Sequence, residues 1–215
     1  MSIDLRRALF ALVATAVLGG TAHALPANVG RGLASSLPTA RSLADGGIVS
    51  APRAFQAFCE TYAGQCNTVG GTAIVDLDED RWGELNAVNS HVNGRIQAYS
   101  DERGTDVWTI GASEGDCDDY AVEKRRQLLS LGWPSSALSL TVAYIRSGEA
   151  HLVLTVRTDR GDFVLDNLRK RIVPAVQTGY RFVSRQSTVH PRLWVRVDGV
   201  ARDLVATAKT RPTGR

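Results

Sequence analysis

No apolar run in this 215-residue chain reaches the roughly 18 residues that a membrane-spanning helix needs. The longest, Ala8 to Leu18, is followed at once by Gly19-Gly20, so an uncleaved membrane anchor is not expected. Charge of one sign is equally scarce. The 25 Lys and Arg stand against 22 Asp and Glu, a net of +3, with no dense basic block and no interleaving of basic and aromatic residues. Nucleic acid is therefore not a suggested partner. Cysteine is limited to three positions, and Cys59 and Cys66 have no second ligand pair at the spacing of a zinc site. What is present, 44% hydrophobic and 22% charged residues, suffices for one globular domain with a real core plus extensions.

The front of the chain reads as an address. Arg6-Arg7, a short apolar stretch and Ala22-His23-Ala24 have the form of a secretory signal peptide over residues 1–24, cleaved after Ala24. A periplasmic or secreted protein is expected. Residues 25–50, rich in Ala, Gly, Ser and Pro without a sustained period, read as a flexible leader. A domain over 51–200 and a loose polar tail over 201–215 complete the plan. In an exported protein Cys59 and Cys66 are close enough to close a small loop, worth about 2.5 kcal/mol in the chain-entropy model. Cys117 is then the odd cysteine, either a reactive thiol or an intermolecular bridge.

Cys117 lies in Gly115-Asp116-Cys117-Asp118-Asp119-Tyr120, followed by Ala121, Val122, Leu128 and Leu129 at helical spacing, with Glu123, Lys124 and Arg126 expected to face away. Gly132-Trp133-Pro134 ends that helix. A thiol in the first turn meets the positive end of the helix dipole, which favours thiolate. The neighbouring carboxylates oppose it by like-charge repulsion. A hard cation such as calcium suits Asp116, Asp118 and Asp119 and would offset that repulsion. The same acids are also what a helix start prefers, with Asp116 as its cap.

Upstream, Leu85, Val88, Val92 and Ile96 mark an amphipathic helix with Asn86, Asn89 and Asn93 on its more polar side; His91 is given no role. Downstream the period changes to two. Leu138–Ile145, His151–Val156 and Phe163–Asp166 read as three consecutive antiparallel strands. The second hairpin brings His151 and Asp166 to the same edge of the sheet, and a two- or four-residue loop would put both on one face. Tyr180, Phe182 and Val183, then Leu193, Val195 and Val197 beside Trp194, read as further strands that complete the sheet.

The Gly115–Ala121 run, the His151-Leu152-Val153-Leu154 strand and Val164-Leu165-Asp166-Asn167-Leu168 together resemble the bacterial transglutaminase-like cysteine proteases. The likeness extends from about Phe58 to Trp194, taking in Leu85 to Asn93, Trp108 and Tyr180-Arg181-Phe182. The resemblance implies an α+β, papain-like or transglutaminase-like fold, with the catalytic cysteine at a helix start packed on an antiparallel sheet. It further implies a Cys117–His151–Asp166 triad cleaving a peptide bond in a protein substrate. In one branch of the family the implied substrate is a large cell-surface adhesin, the cofactor is calcium, and a membrane-bound regulatory receptor is a partner. A transglutaminase or peptidoglycan amidase using the same triad, and a non-catalytic periplasmic binding module, are the alternatives.

Overall fold

The computed structural model of the chain describes residues 37–102 and 105–201. The expected signal peptide, the first part of the leader and the tail from residue 202 lie outside the described residues. The elements run β1 (Leu43–Val49), α1 (Arg53–Thr61), α2 (Glu79–Arg95), β2 (Gln97–Ala98), β3 (Glu114–Gly115), α3 (Cys117–Ser130), β4 (Leu138–Tyr144), β5 (Ala150–Thr158), β6 (Gly161–Leu165), β7 (Val173–Pro174), β8 (Arg181–Gln186) and β9 (Trp194–Val200). Seven strands form one sheet in the order β1-β9-β8-β4-β5-β6-β7, every neighbour antiparallel, and β2 and β3 pair separately. This is the helix-on-antiparallel-sheet arrangement expected of the α+β class.

The central packing is α3 against β5 on one side and α2 on the other. Leu128, Tyr120, Ala121 and Val122 of α3 and Leu85, Val88 and Val92 of α2 share a core with Leu140, Leu152, Leu154 and Phe163. Helix α3 stops where expected, because Gly132 takes φ +85°, a conformation that glycine alone adopts without cost. Its outward face is corrected, however. Glu123 and Lys124 are each 1% exposed, and only Arg126 of the three remains partly in solvent. A helix enclosed by a sheet and a second helix has little outer face left. Glu123 accepts bonds from Arg126, Gln127 and the Gly111 N–H, and those donors outweigh the cost of its burial and hold its carboxyl below the usual range.

The leader is also corrected. Leu43–Val49, within the stretch expected to be flexible, is edge strand β1, paired to β9 from Leu43↔Val200 to Val49↔Trp194. A buried ionic cluster anchors it. Asp162, fully buried on β6, accepts from the Leu43 N–H at 2.9 Å, from Arg185 Nη1 at 2.8 Å and from Arg157 Nε at 3.2 Å. Arg185, 1% exposed, also donates to Asp45 Oδ1 at 2.7 Å and to the Leu43 carbonyl at 3.1 Å. Strand β1 is thus fixed by two arginines and an aspartate as well as by its ladder.

Helix α1 buries Phe55, Phe58 and Cys59, and Phe55 meets Trp194 edge-on with ring centroids 5.3 Å apart. The Cys59–Cys66 disulfide forms, with Cα atoms 5.7 Å apart, and Cys117 is the free cysteine among the described residues. Arg125, buried on α3, joins this loop to the start of β4 by donating to the Gln65 carbonyl at 2.7 Å and the Leu138 carbonyl at 3.1 Å.

Candidate active site

Cys117 is the first residue of α3, and the local sequence explains why a helix starts there. The Asp116 side chain accepts from the Asp118 N–H, and Asp119 reaches back to accept the Asp116 N–H at 3.1 Å, a reciprocal capping box. Gly115 makes this possible: a Cβ at that position would collide with the Oδ2, Cγ and Cβ atoms of Asp119. The other oxygen of Asp119 accepts the Thr109 N–H at 2.8 Å and so ties the preceding loop to the helix start. Gly115→Ala is expected to break the box, costing about 1–2 kcal/mol and a few degrees of melting temperature. Reactivity of the Cys117 thiol should fall with it, since Cys117 sits two residues away; melting curves and thiol labelling check both.

Opposite the thiol, β5 and β6 present His151 and Asp166. Thr158 pairs with Gly161 across a two-residue turn, and Leu154 pairs with Leu165. One step beyond that pair, Asp166 stands on the face shared by Val153 and His151, as the two-residue loop requires. His151 Nε2 and Asp166 Oδ1 are 2.9 Å apart and both residues are buried. The next backbone N–H, that of Leu152, donates to Cys117 Sγ at 3.4 Å. Cys117, His151 and Asp166, distant in sequence, therefore converge at one place.

Several contacts there had no strong signal in the sequence. Tyr180, read as a sheet aromatic, donates its hydroxyl to Asp166 Oδ2 at 2.6 Å. The Leu168 N–H donates to Asp166 Oδ1 at 3.0 Å. Asn93, on the side of α2 expected to be polar, donates to the carbonyls of Asp166 at 2.9 Å and Arg169 at 3.2 Å. The polar side of α2 thus clamps the loop after β6. The asparagine spacing was the available clue, and only the tertiary fold supplies its partner.

The electrostatics around the thiol are unusual. Burial first, then Asp118, Asp116 and Asp106, push the Cys117 thiol up to about 12, with the Leu152 N–H opposing. Asp118 is pushed to about 10 by burial and by Asp116, and Asp119 to about 6 by burial, against the two N–H bonds it accepts. The sulfur and one carboxylate oxygen each from Asp116 and Asp118 lie within 4.8 Å of one another. Asp118 Oδ1 is buried without a hydrogen-bond partner. Two hard oxygen donors, of which Asp118 has an oxygen buried without a partner, fit a divalent cation. Asp119 stands apart, because both its oxygens already serve backbone N–H groups.

The site lies on a cleft. One depression of about 310 Å³ is lined by Pro52, Asp106, Trp108, Val142 and Leu152, and a second of about 380 Å³ by Tyr99, Ser100, Glu149, Asn167 and Leu168. Cys117, Ala150 and His151 line both. The thiol and imidazole therefore stand at the junction of an apolar and a polar trough. A larger hollow of about 470 Å³, lined by Leu43, Phe182 and Val197 among others, contains none of Cys117, His151 and Asp166.

A search of curated proteins finds no match to this chain. Among solved structures, calcium-bound LapG of Legionella pneumophila is similar at 22% identity and a TM-score of 0.48, over 68% of this chain and 82% of that one. EGTA-treated LapG of the same organism is similar at 23% identity and a TM-score of 0.44, over 62% and 72%. The sequence profile of the bacterial transglutaminase-like cysteine proteinases matches residues 45–202, from within β1 to just past β9. The chain belongs to the bacterial transglutaminase-like cysteine proteinase family, and is by that membership a cysteine peptidase.

Proposed function

We propose that the protein is an exported thiol endopeptidase that cleaves a protein substrate with Cys117 as nucleophile, His151 as general base and acid, and Asp166 as the carboxylate that orients His151. The observation that carries this reading is the 2.9 Å His151–Asp166 bond beside a half-buried Cys117 that forms no disulfide, at the junction of two troughs. Asp166 uses Oδ1 to hold Nε2, so Nδ1 is the ring nitrogen left to exchange a proton with the thiol. Cys117 Sγ attacks the scissile carbonyl, the C–N bond breaks, and protonated His151 gives its proton to the departing amine. Water, deprotonated by His151, then cleaves the thioester and releases the acid. The Cys117 backbone N–H, at the first position of α3, is among those a helix leaves without an internal partner and suits the oxyanion.

The troughs on both sides of the thiol suit an extended polypeptide that continues past the scissile bond. A large surface adhesin as substrate, a periplasmic location and a membrane-bound regulatory receptor are the biological setting proposed from the family resemblance. Calcium is the proposed cofactor, held by Asp116 and Asp118 with Asp119 bracing the helix start. When bound it supplies positive charge that offsets the carboxylates around Cys117.

Mass spectrometry of a protein substrate incubated with the enzyme, with and without an added amine, tests the reaction. Hydrolysed termini with no amine adduct are the expected products; amine-capped products would identify a transferase instead. In the same assay a chelator should abolish cleavage and calcium restore it. Calcium at about 100 times its Kd should add roughly 2.7 kcal/mol of stability by mass action. Asp118→Asn should blunt that gain far more than Asp119→Asn. A melting temperature indifferent to calcium in metal-stripped protein would contradict the cofactor assignment.

A further inference from the structure

We propose that Tyr180 is a positioning residue of the active site, fixing the Asp166 carboxylate so that one oxygen faces His151. The inference rests on the triad reading above and concerns a side chain that this reading does not use. Asp166 is 1% exposed and its two oxygens have different partners. Oδ1 accepts from His151 Nε2 and the Leu168 N–H, while Oδ2 accepts from the Tyr180 hydroxyl at 2.6 Å. A carboxylate held on one oxygen only can turn about its terminal torsion, which is broad. Bonds to both oxygens fix it.

The protonation states are consistent with this arrangement. Burial would raise the Asp166 carboxyl, but the bonds from His151, Tyr180 and Leu168 outweigh it and leave it below the usual range. Burial and then the bond to Asp166 hold the Tyr180 hydroxyl above its ordinary value, so the phenol is the donor. An ionised Asp166 only accepts, so His151 Nε2 carries its proton and Nδ1 is the nitrogen directed to other work.

Tyr180 is itself held. Its ring stands edge-on to the His151 ring at 85°, with centroids 5.9 Å apart. The Arg169 guanidinium lies over the Tyr180 ring at 5.2 Å, donates to the phenol oxygen at 3.4 Å and to the Thr178 carbonyl at 2.8 Å. Arg169 Nε stands 3.8 Å from Asp166 Oδ2, so the phenol makes the shorter contact to that oxygen. Tyr180 thus touches both the acid and the base, and Arg169 supports it from outside.

Tyr180→Phe retains the ring packing and deletes the hydroxyl alone. In protein carrying isotope-labelled histidine and Cys117→Ala, the Nε2–H of His151 should give a downfield resonance protected by its bond to Asp166. Adding Tyr180→Phe should broaden that resonance or lose it to solvent exchange, with circular dichroism unchanged. In the active enzyme the same substitution should lower kcat about ten-fold, with KM within about two-fold, as for the loss of one bond to a charged group. Arg169→Gln, which leaves the phenol in place but unsupported, should lie between the two and serves if Tyr180→Phe does not fold. An unchanged resonance together with kcat within two-fold of wild type would overturn the proposal. A wild-type protein that cleaves nothing while the resonance still responds to Tyr180→Phe would refute the peptidase mechanism and leave the positioning role standing.

Discussion

Cys117→Ala is expected to reduce cleavage of a protein substrate by at least about 10³-fold while leaving the fold intact, because it removes the thiol at the junction of the two troughs. His151→Ala and Asp166→Ala should each fall by a comparable factor. In the proposed mechanism, a thiol that burial and three carboxylates push up to about 12 draws its thiolate character from the His151 imidazolium and from the proposed calcium ion. If the three residues act as the proposed triad, the double variant Cys117→Ala/His151→Ala should lose little more than either single variant. Cleavage rates of purified proteins with matched melting temperatures provide the check. Full activity in Cys117→Ala would remove the mechanism.

The largest effect on stability is expected at the opposite end of the β5–β6 hairpin. Asp162→Ala leaves Arg185, 1% exposed, without its 2.8 Å partner and takes the acceptor from the Leu43 N–H. Removing one member of a buried ion pair costs about 3–5 kcal/mol, which in a domain of this size lowers the melting temperature by roughly 10 °C. Strand β1 should loosen first, and hydrogen exchange should show amide protection lost over Leu43–Val49 before the rest of the sheet. Burying two charges is itself costly, so Asp162→Leu combined with Arg185→Met should recover much of the loss. Thermal melts of the three proteins measure it. A loss under about 1 kcal/mol in Asp162→Ala would mean that the ladder to β9 alone holds the strand.

The parts of the structure legible in the sequence are those in which partners are close in sequence or patterning has one dominant period. The start of α3 follows from Asp116 as cap, its end from Gly132, and the β5–β6 hairpin from the turn residues Asp159-Arg160-Gly161-Asp162. The hairpin brings His151 and Asp166 to one edge, and the observed two-residue turn between Thr158 and Gly161 sets the register that puts them on one face. Strand β1 was not legible because Leu43-Ala44-Asp45-Gly46-Gly47-Ile48-Val49 has two glycines and an aspartate, which are poor strand formers. Its stability comes from β9 and from Asp162 and Arg185, all more than a hundred residues away in sequence.

Helix α3 misled the amphipathic reading for the opposite reason. Enclosure by β5 and α2 buries Glu123 and Lys124, whose types predict an outer face. Helix α1 carried a weak signal in Phe55, Phe58 and Cys59 at three- and four-residue spacing, overshadowed by the cysteine pair. The two residues that hold Asp166 from outside, Asn93 and Tyr180, sit in a helix and a strand approach that look ordinary in isolation. Only the loop after β6 brings their polar atoms to one residue, Asn93 to the backbone carbonyl of Asp166 and Tyr180 to its carboxylate.

The proposed chemistry depends on Cys117 being a nucleophile activated by His151. Brief exposure of calcium-loaded protein to a peptidyl electrophile specific for thiols, followed by peptide mapping, tests it most directly. One adduct on Cys117 is predicted, with labelling slowed at least about ten-fold in His151→Ala and Asp166→Ala at neutral pH. No adduct on Cys117, or labelling as fast in His151→Ala as in wild type, would contradict it.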